Sequence, residues 1–170
     1  MADTTFTDAI ALLKADHRKV ETLFDQFEAA RGSAAKRKLA HQICLELKIH
    51  TAIEEEIFYP AFRGQIDDDM LDEAYVEHDG AKVLINDIVA ARPEDAFYDA
   101  KVTVLAEEVK HHVHEEEMRG EGMFAQCRRS DVDLVALRDA MLARKQELMA
   151  QAQAAGLPPA KPTAVNLQPA

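Results

Sequence analysis

The 170-residue chain predicts an all-α protein: an up-down-up-down four-helix bundle with an additional C-terminal helix and a disordered tail. Three observations predict it. Apolar residues recur in steps of three and four over four stretches of roughly 25 residues each, the spacing of helix faces buried against neighbours. No stretch alternates with a period of two for long enough to make a strand. A His…His-x-x-x-Glu pattern occurs twice at one offset, as expected of two helical hairpins related by an approximate two-fold axis.

The first helix spans 7–31, with Ile10, Leu13, His17, Val20, Phe24 and Phe27 on one face, Thr7 as N-cap and Gly32-Ser33 as stop. The second runs from Ala34 to Tyr59 on a stripe of Leu39, Ile43, Leu47, His50, Glu54 and Ile57, and Pro60 marks its end. Asp67-Asp68-Asp69 complements the N-terminal dipole of a third helix. That helix carries Leu71, Ala74, His78, Ala81, Ile85 and Ile88 and stops before Pro93. The fourth, from Pro93 to Met118, carries Phe97, Ala100, Val104, His111 and Glu115, and Gly120 and Gly122 break it. A fifth amphipathic helix, Asp131 to Ala152, shows Leu134, Leu137, Met141 and Leu148. Gly156-Leu157-Pro158-Pro159 then opens a Pro- and Ala-rich tail expected to be disordered. The expected boundaries are 7–127 for the bundle, 128–152 for the C-terminal helix and 153–170 for the tail.

Composition narrows the function. A net charge of −11, from 31 acidic against 20 basic residues, disfavours nucleic acid and anionic membranes as partners. No window approaches the roughly 18 apolar residues of a membrane span. The first residues lack the basic flank and apolar segment of a secretory signal, so cytoplasmic localisation is expected. Cys44 and Cys127 are too few for a disulfide framework and lack CxxC spacing, which argues against a thiolate zinc site. No nucleophilic triad or phosphate loop is present, and Gly120-Glu121-Gly122 follows a helix instead of joining a strand to one.

The function-bearing feature is the repeat. His17, His50 and Glu54 form one copy, and His78, His111 and Glu115 the other, each position shifted by 61 (78 − 17, 111 − 50, 115 − 54). Residues i and i+4 share a helix face, so each His-x-x-x-Glu can point both donors into one site. A single such pair on a helix is usually a surface feature. Here the positions fall on inward stripes where Leu or Ile would pack, and buried carboxylates facing one another are costly without cations between them. A dinuclear metal site removes that cost. Imidazole and carboxylate donors without thiolate suit iron, manganese or zinc, with two iron ions ranked first.

Taken in order, Asp16-His17-Arg18-Lys19-Val20, His50 through Pro60, Glu77-His78, and His111-His112-Val113-His114-Glu115-Glu116-Glu117 resemble the hemerythrin HHE cation-binding family, over about residues 8–127. The resemblance implies a non-haem di-iron centre in which His17 and His50 bind one iron, His78 and His111 the other, and Glu54 and Glu115 bridge them. Two features differ from the family's oxygen carriers. Lys82 stands where they place a second histidine in the third helix, and Glu115, four residues after His111, replaces an Asp five residues on. Fewer imidazoles leave open positions at both metals, which favours binding of oxygen, nitric oxide or peroxide in redox sensing or stress defence over oxygen transport. A catalase-like enzyme decomposing hydrogen peroxide is the alternative. A third reading makes the metal a staple and residues 131–170 a docking element.

The remaining residues have plainer expectations. Glu108, near the face of His111, is a further ligand, a proton relay, a lid or simply a solvated carboxylate. Glu55, Glu56, Glu116 and Glu117 are expected on solvated faces. His41, His112 and His114 are assigned to outer faces, because one residue rotates His112 by about 100° from His111. Tyr59 and Tyr75 are candidates for hydrogen bonds to ligands.

Overall fold

The computed structural model describes residues 6–166. These are helical with no strand: α1 (Ala9–Ala29), α2 (Ser33–Ile53), a π-helical turn (Glu54–Phe58), α3 (Tyr59–Phe62), α4 (Asp68–Ala90), α5 (Tyr98–Glu117), α6 (Met123–Cys127) and α7 (Leu134–Ala155). None of these helices is long and apolar enough to cross a membrane.

Local chemistry sets the ends. Asp8, one residue after the expected Thr7, caps α1 by accepting from Ala11 N–H at 2.8 Å. Asp67 and Asp133 cap α4 and α7 in the same way. Pro60 does not end the second helix. Tyr59 N–H bonds to Glu54 O across the π turn, so the ladder has already shifted by one residue when Pro60 enters the first turn of α3. Pro93 to Phe97 is not part of the fourth helix; Phe97, at φ 67°, is a left-handed residue immediately before Tyr98.

α1 packs on α2, α4 on α5, and the pairs meet through α2 with α4 and α1 with α5. Two apolar clusters result. Ile10, Leu13, Ile53, Phe58, Phe62, Leu71 and Phe124 anchor one; Val20, Phe27, Ile43, Ile85, Tyr98 and Leu105 anchor the other. Burying such side chains contributes roughly 1.5–3 kcal/mol each. A polar layer interrupts the helices between the clusters. α7 lies against α1, α2 and the π turn, burying Met141 and Leu148. The expected disordered tail is corrected: the helix continues to Ala155, and 156–165 follow a defined path with backbone hydrogen bonds to α4. Residues 167–170 of that expectation lie outside the described residues.

Candidate metal centre

Helices α1, α2, α4 and α5 each send one buried imidazole into the polar layer: His17 from α1, His50 from α2, His78 from α4 and His112 from α5. The Nε2 atoms of His17 and His50 are 3.2 Å apart, as are those of His78 and His112. Glu54 reaches both pairs, with Oε2 3.2 Å from His50 Nε2 and 3.3 Å from His78 Nε2. Glu116 does likewise, 3.3 Å from His17 Nε2 and 3.6 Å from His112 Nε2. The donors thus form two groups sharing Glu54: His17, His50, Glu54 and Glu116, and Glu54, His78 and His112, with donor atoms within 4.8 Å of one another in each.

Glu54 is fully buried, and neither of its oxygens has a hydrogen-bond partner; Glu116 Oε2 also lacks one. Carboxylate oxygens without hydrogen-bond partners, buried among ring nitrogens and away from water, are costly unless cations lie among them. The residues therefore fit metal ions.

The pattern describing the hemerythrin HHE cation binding domain matches residues 8–124. The chain belongs to the hemerythrin HHE cation-binding family. It is similar to a protein of Nostoc sp. named as a DNA nickase, at 30% identity over 106 residues, which is 62% of this chain and 30% of that protein. It thus spans less than a third of that relative. Its fold is similar to the crystal structure of a hemerythrin HHE cation binding domain-containing protein from Mycobacterium kansasii, with a TM-score of 0.72 and 19% identity, covering 89% of this chain and 96% of that one.

Behind each imidazole of this HHE domain stands a second carboxylate. Asp16 and Glu77, each preceding a histidine, face the Nδ1 atoms of His50 at 3.5 Å and His112 at 2.7 Å within their own hairpins. Glu55 and Glu117, each following an inward glutamate, cross to the Nδ1 atoms of His78 at 3.0 Å and His17 at 2.7 Å in the other hairpin. The approximate two-fold therefore extends to the outer carboxylates. Such a partner fixes ring orientation and leaves Nε2 free for the interior.

These contacts shift the ionisation of the metal-free protein. Burial acts to lower the His50 imidazole, but Glu54 and Asp16 outweigh it and raise it to about 10. His78 is raised to about 9, against burial, by Glu54 and Glu55. Burial would raise the Glu54 carboxyl, yet His50 and His78 hold it well below the usual range. Ions held there would displace protons from the imidazoles.

Tyr59 breaks the two-fold pattern. The π turn brings its side chain into the layer, where its O–H donates to Glu116 Oε1 at 3.0 Å and lies 3.3 Å from His78 Nε2. Tyr75 instead donates to Glu55 O. Phe124 of α6, a short helix with no sequence signal of its own, stacks on His17 at 5.9 Å. Burial pushes the Cys44 and Cys127 thiols up to about 12, so neither is a reactive thiolate.

A cavity of about 40 Å³ lies beside the imidazoles, walled by Val20, Leu47, Ala81, Val109 and Val113. Glu108 lines it and stands outside the donor groups. Burial and the neighbouring Glu77 raise its carboxyl above the ordinary value.

The expected inward positions on α5 need correction. The structure brings His17, His50, Glu54 and His78 together but places His111 and Glu115 on the outer face, with side chains 63% and 36% exposed. There they meet Glu77 in a separate group. His112 and Glu116, assigned to the outside from the sequence, point inward. Phe97 and Val104, expected inside, are 77% and 43% exposed, whereas Tyr98, Val102 and Leu105 are buried. The second hairpin holds one more residue than the first: 34 separate His78 from His112 (112 − 78), against 33 between His17 and His50 (50 − 17). One added residue turns a helix by about 100°, enough to exchange faces. A signal was available: Tyr98, Val102, Leu105, Val109, His112 and Glu116 follow unbroken steps of four and three, while Glu107 and Glu108 precede His111 on its own face. Glu55 and Glu117 are likewise not solvent residues, and only Glu56 of the first run points outward, to Arg144.

Proposed function

We propose that this domain, with α1, α2, α4 and α5 arranged up-down-up-down, holds two iron ions and takes up oxygen, nitric oxide or peroxide in redox sensing or stress defence. The convergence of four imidazole nitrogens on two buried carboxylates, with both oxygens of Glu54 and one of Glu116 lacking a hydrogen-bond partner, supports this reading most directly. Manganese and zinc are the competing metals for the same donors. Bound iron supplies redox-active centres with coordination positions for a small ligand.

The chain's own groups do the rest. His17 and His50 would hold one ion and His78 and His112 the other, with Glu54 and Glu116 reaching both pairs. Glu55, Glu77 and Glu117 orient their rings by hydrogen bonds, Asp16 faces His50 Nδ1 at 3.5 Å, and Tyr59 fixes Glu116 through its O–H. The aliphatic walls exclude larger molecules: a water needs roughly 10–15 Å³, so a cavity of about 40 Å³ suits a diatomic molecule or a peroxide. Glu108 can exchange a proton at its edge. Net charge −11 disfavours DNA, and the nicking activity named for the Nostoc protein is not carried over from a match to 30% of it.

Anaerobic iron quantification followed by absorption spectroscopy in oxygen tests the proposal. Two ions per chain and a visible band are expected, both lost in His50→Ala and Glu54→Gln. One ion per chain, or spectra indifferent to those substitutions, would overturn it. The peroxide-sized cavity with a carboxylate on its wall also favours a second reading, the conversion of two hydrogen peroxides to oxygen and two waters. Oxygen release no faster than with free iron would sink that reading.

A further inference from the structure

After Gly156 the chain turns back across α2 and α4. Lys48 Nζ donates to Pro158 O at 3.0 Å. Asn86 clamps Ala160 at both ends of its side-chain amide, donating to the carbonyl and accepting from the N–H, each at 2.8 Å. Three successive backbone N–H groups, of Thr163, Ala164 and Val165, donate to the Asp79 carboxylate at 2.8, 2.6 and 2.7 Å. Consecutive amides converging on one anion form a nest, a specific docking arrangement. The crossing leaves Asp79 only 1% exposed and Lys82 5% exposed.

This segment also touches the centre through one intermediary. Thr163 O–H donates to Glu55 Oε2 at 2.6 Å, and Lys82 Nζ donates to Glu55, Asp79 and Thr163 Oγ1. Glu55 is the carboxylate at Nδ1 of His78. Lys82 thereby has a structural use: it ties the segment to that carboxylate.

We propose that residues 158–165 form a positioning strap for the second imidazole pair: Asp79 docks the strap, and Thr163 with Lys82 holds Glu55 against His78. The proposal rests on the metal-centre reading above. Thr163 acts through Glu55 and His78 and is a positioning residue. Groups that orient a metal-bound histidine typically control about 10–100-fold in affinity.

The test is anaerobic titration of the full chain with cobalt(II), followed by its visible absorption, for wild type, Thr163→Val, Thr163→Ser, Asp79→Asn and His50→Ala. Thr163→Val is expected to weaken one of the two ions about 10-fold and alter its spectrum, leaving the other unchanged, and Thr163→Ser to restore both. Asp79→Asn should reproduce the weakening and speed amide exchange at Thr163, Ala164 and Val165. If Thr163→Val and Asp79→Asn leave both affinities within about twofold, far inside the range for an orienting group, while His50→Ala removes an ion, the strap proposal falls and the centre stands. A wild-type chain that takes up no metal overturns both.

Discussion

His111 and His112 are adjacent, and their separate replacement by alanine distinguishes the two possible faces of α5. The His112 side chain is 10% exposed, with Nε2 3.2 Å from His78 Nε2; that of His111 is 63% exposed. His112→Ala leaves the second donor group with one imidazole. Losing a group that merely orients a ligand costs about 10–100-fold in metal affinity, so losing the donor itself should cost at least about 100-fold. That corresponds to about 2.7 kcal/mol, enough at micromolar protein and near-stoichiometric iron to reduce two bound ions to one. His111→Ala removes an exposed ring and should change affinity by no more than about twofold, within the ±0.5 kcal/mol typical of surface changes. Ferrous titration with colorimetric iron counting reads the difference, and circular dichroism confirms that both variants remain helical. If His111→Ala loses an ion while His112→Ala keeps two, this orientation of α5 is refuted.

Four further outcomes follow from the same geometry. His50 and His78, raised to about 10 and about 9 from 6.5, contribute stability that is complete below pH 6.5 and lost as pH rises through 9–10. The lowered Asp16, Glu54, Glu55, Glu77 and Glu117 carboxyls contribute above their ordinary range near 4 and lose it as pH falls through their depressed values. The chelator-treated protein should therefore melt highest near pH 5–6.5 and progressively lower towards pH 10; a flat profile would contradict the ion pairing. Metal uptake at pH 7 should release protons, seen as calorimetric heats that depend on buffer ionisation. Tyr59→Phe strips Glu116 of a buried donor and should destabilise the metal-free protein by about 1–3 kcal/mol in urea unfolding, and an unchanged midpoint would count against that bond. Gly122→Ala would bring a Cβ to 2.5 Å from Met118 O, 2.7 Å from Met118 N and 2.8 Å from Glu115 O, all backbone atoms. Crowding of this kind costs roughly 1–3 kcal/mol, and wild-type stability in the variant would disprove the tight turn joining α5 to α6.

Much of the architecture is local and readable from the chain. The apolar steps through Ile10 to Phe27, Ile43 to Glu54 and Leu71 to Ile88 specify which face of each helix is buried, and they carry His17, His50, Glu54 and His78 inward with it. A helix has a fixed angular period, so residues on one unbroken stripe share a direction whatever surrounds them. At α5 two regularities disagree: the offset of 61 points to His111, and the stripe through Val109 points to His112. The stripe prevails, because burial acts on a helix face and not on a sequence interval.

What the tertiary structure alone decided is where separate elements meet. The turn from Ala91 to Phe97 sets the rotation of α5 relative to α4, and a one-residue difference exchanges His111 and Glu115 for His112 and Glu116. The outer carboxylates Glu55 and Glu117 act on histidines of the opposite hairpin, 23 and 100 residues away in sequence. The Pro-rich tail lacks the apolar content to order itself, yet it is held by Asp79, Asn86 and Lys82. Local periodicity encodes the direction of a side chain on its own helix; the partner awaiting it depends on loop geometry and on packing between distant segments, which no local pattern contains.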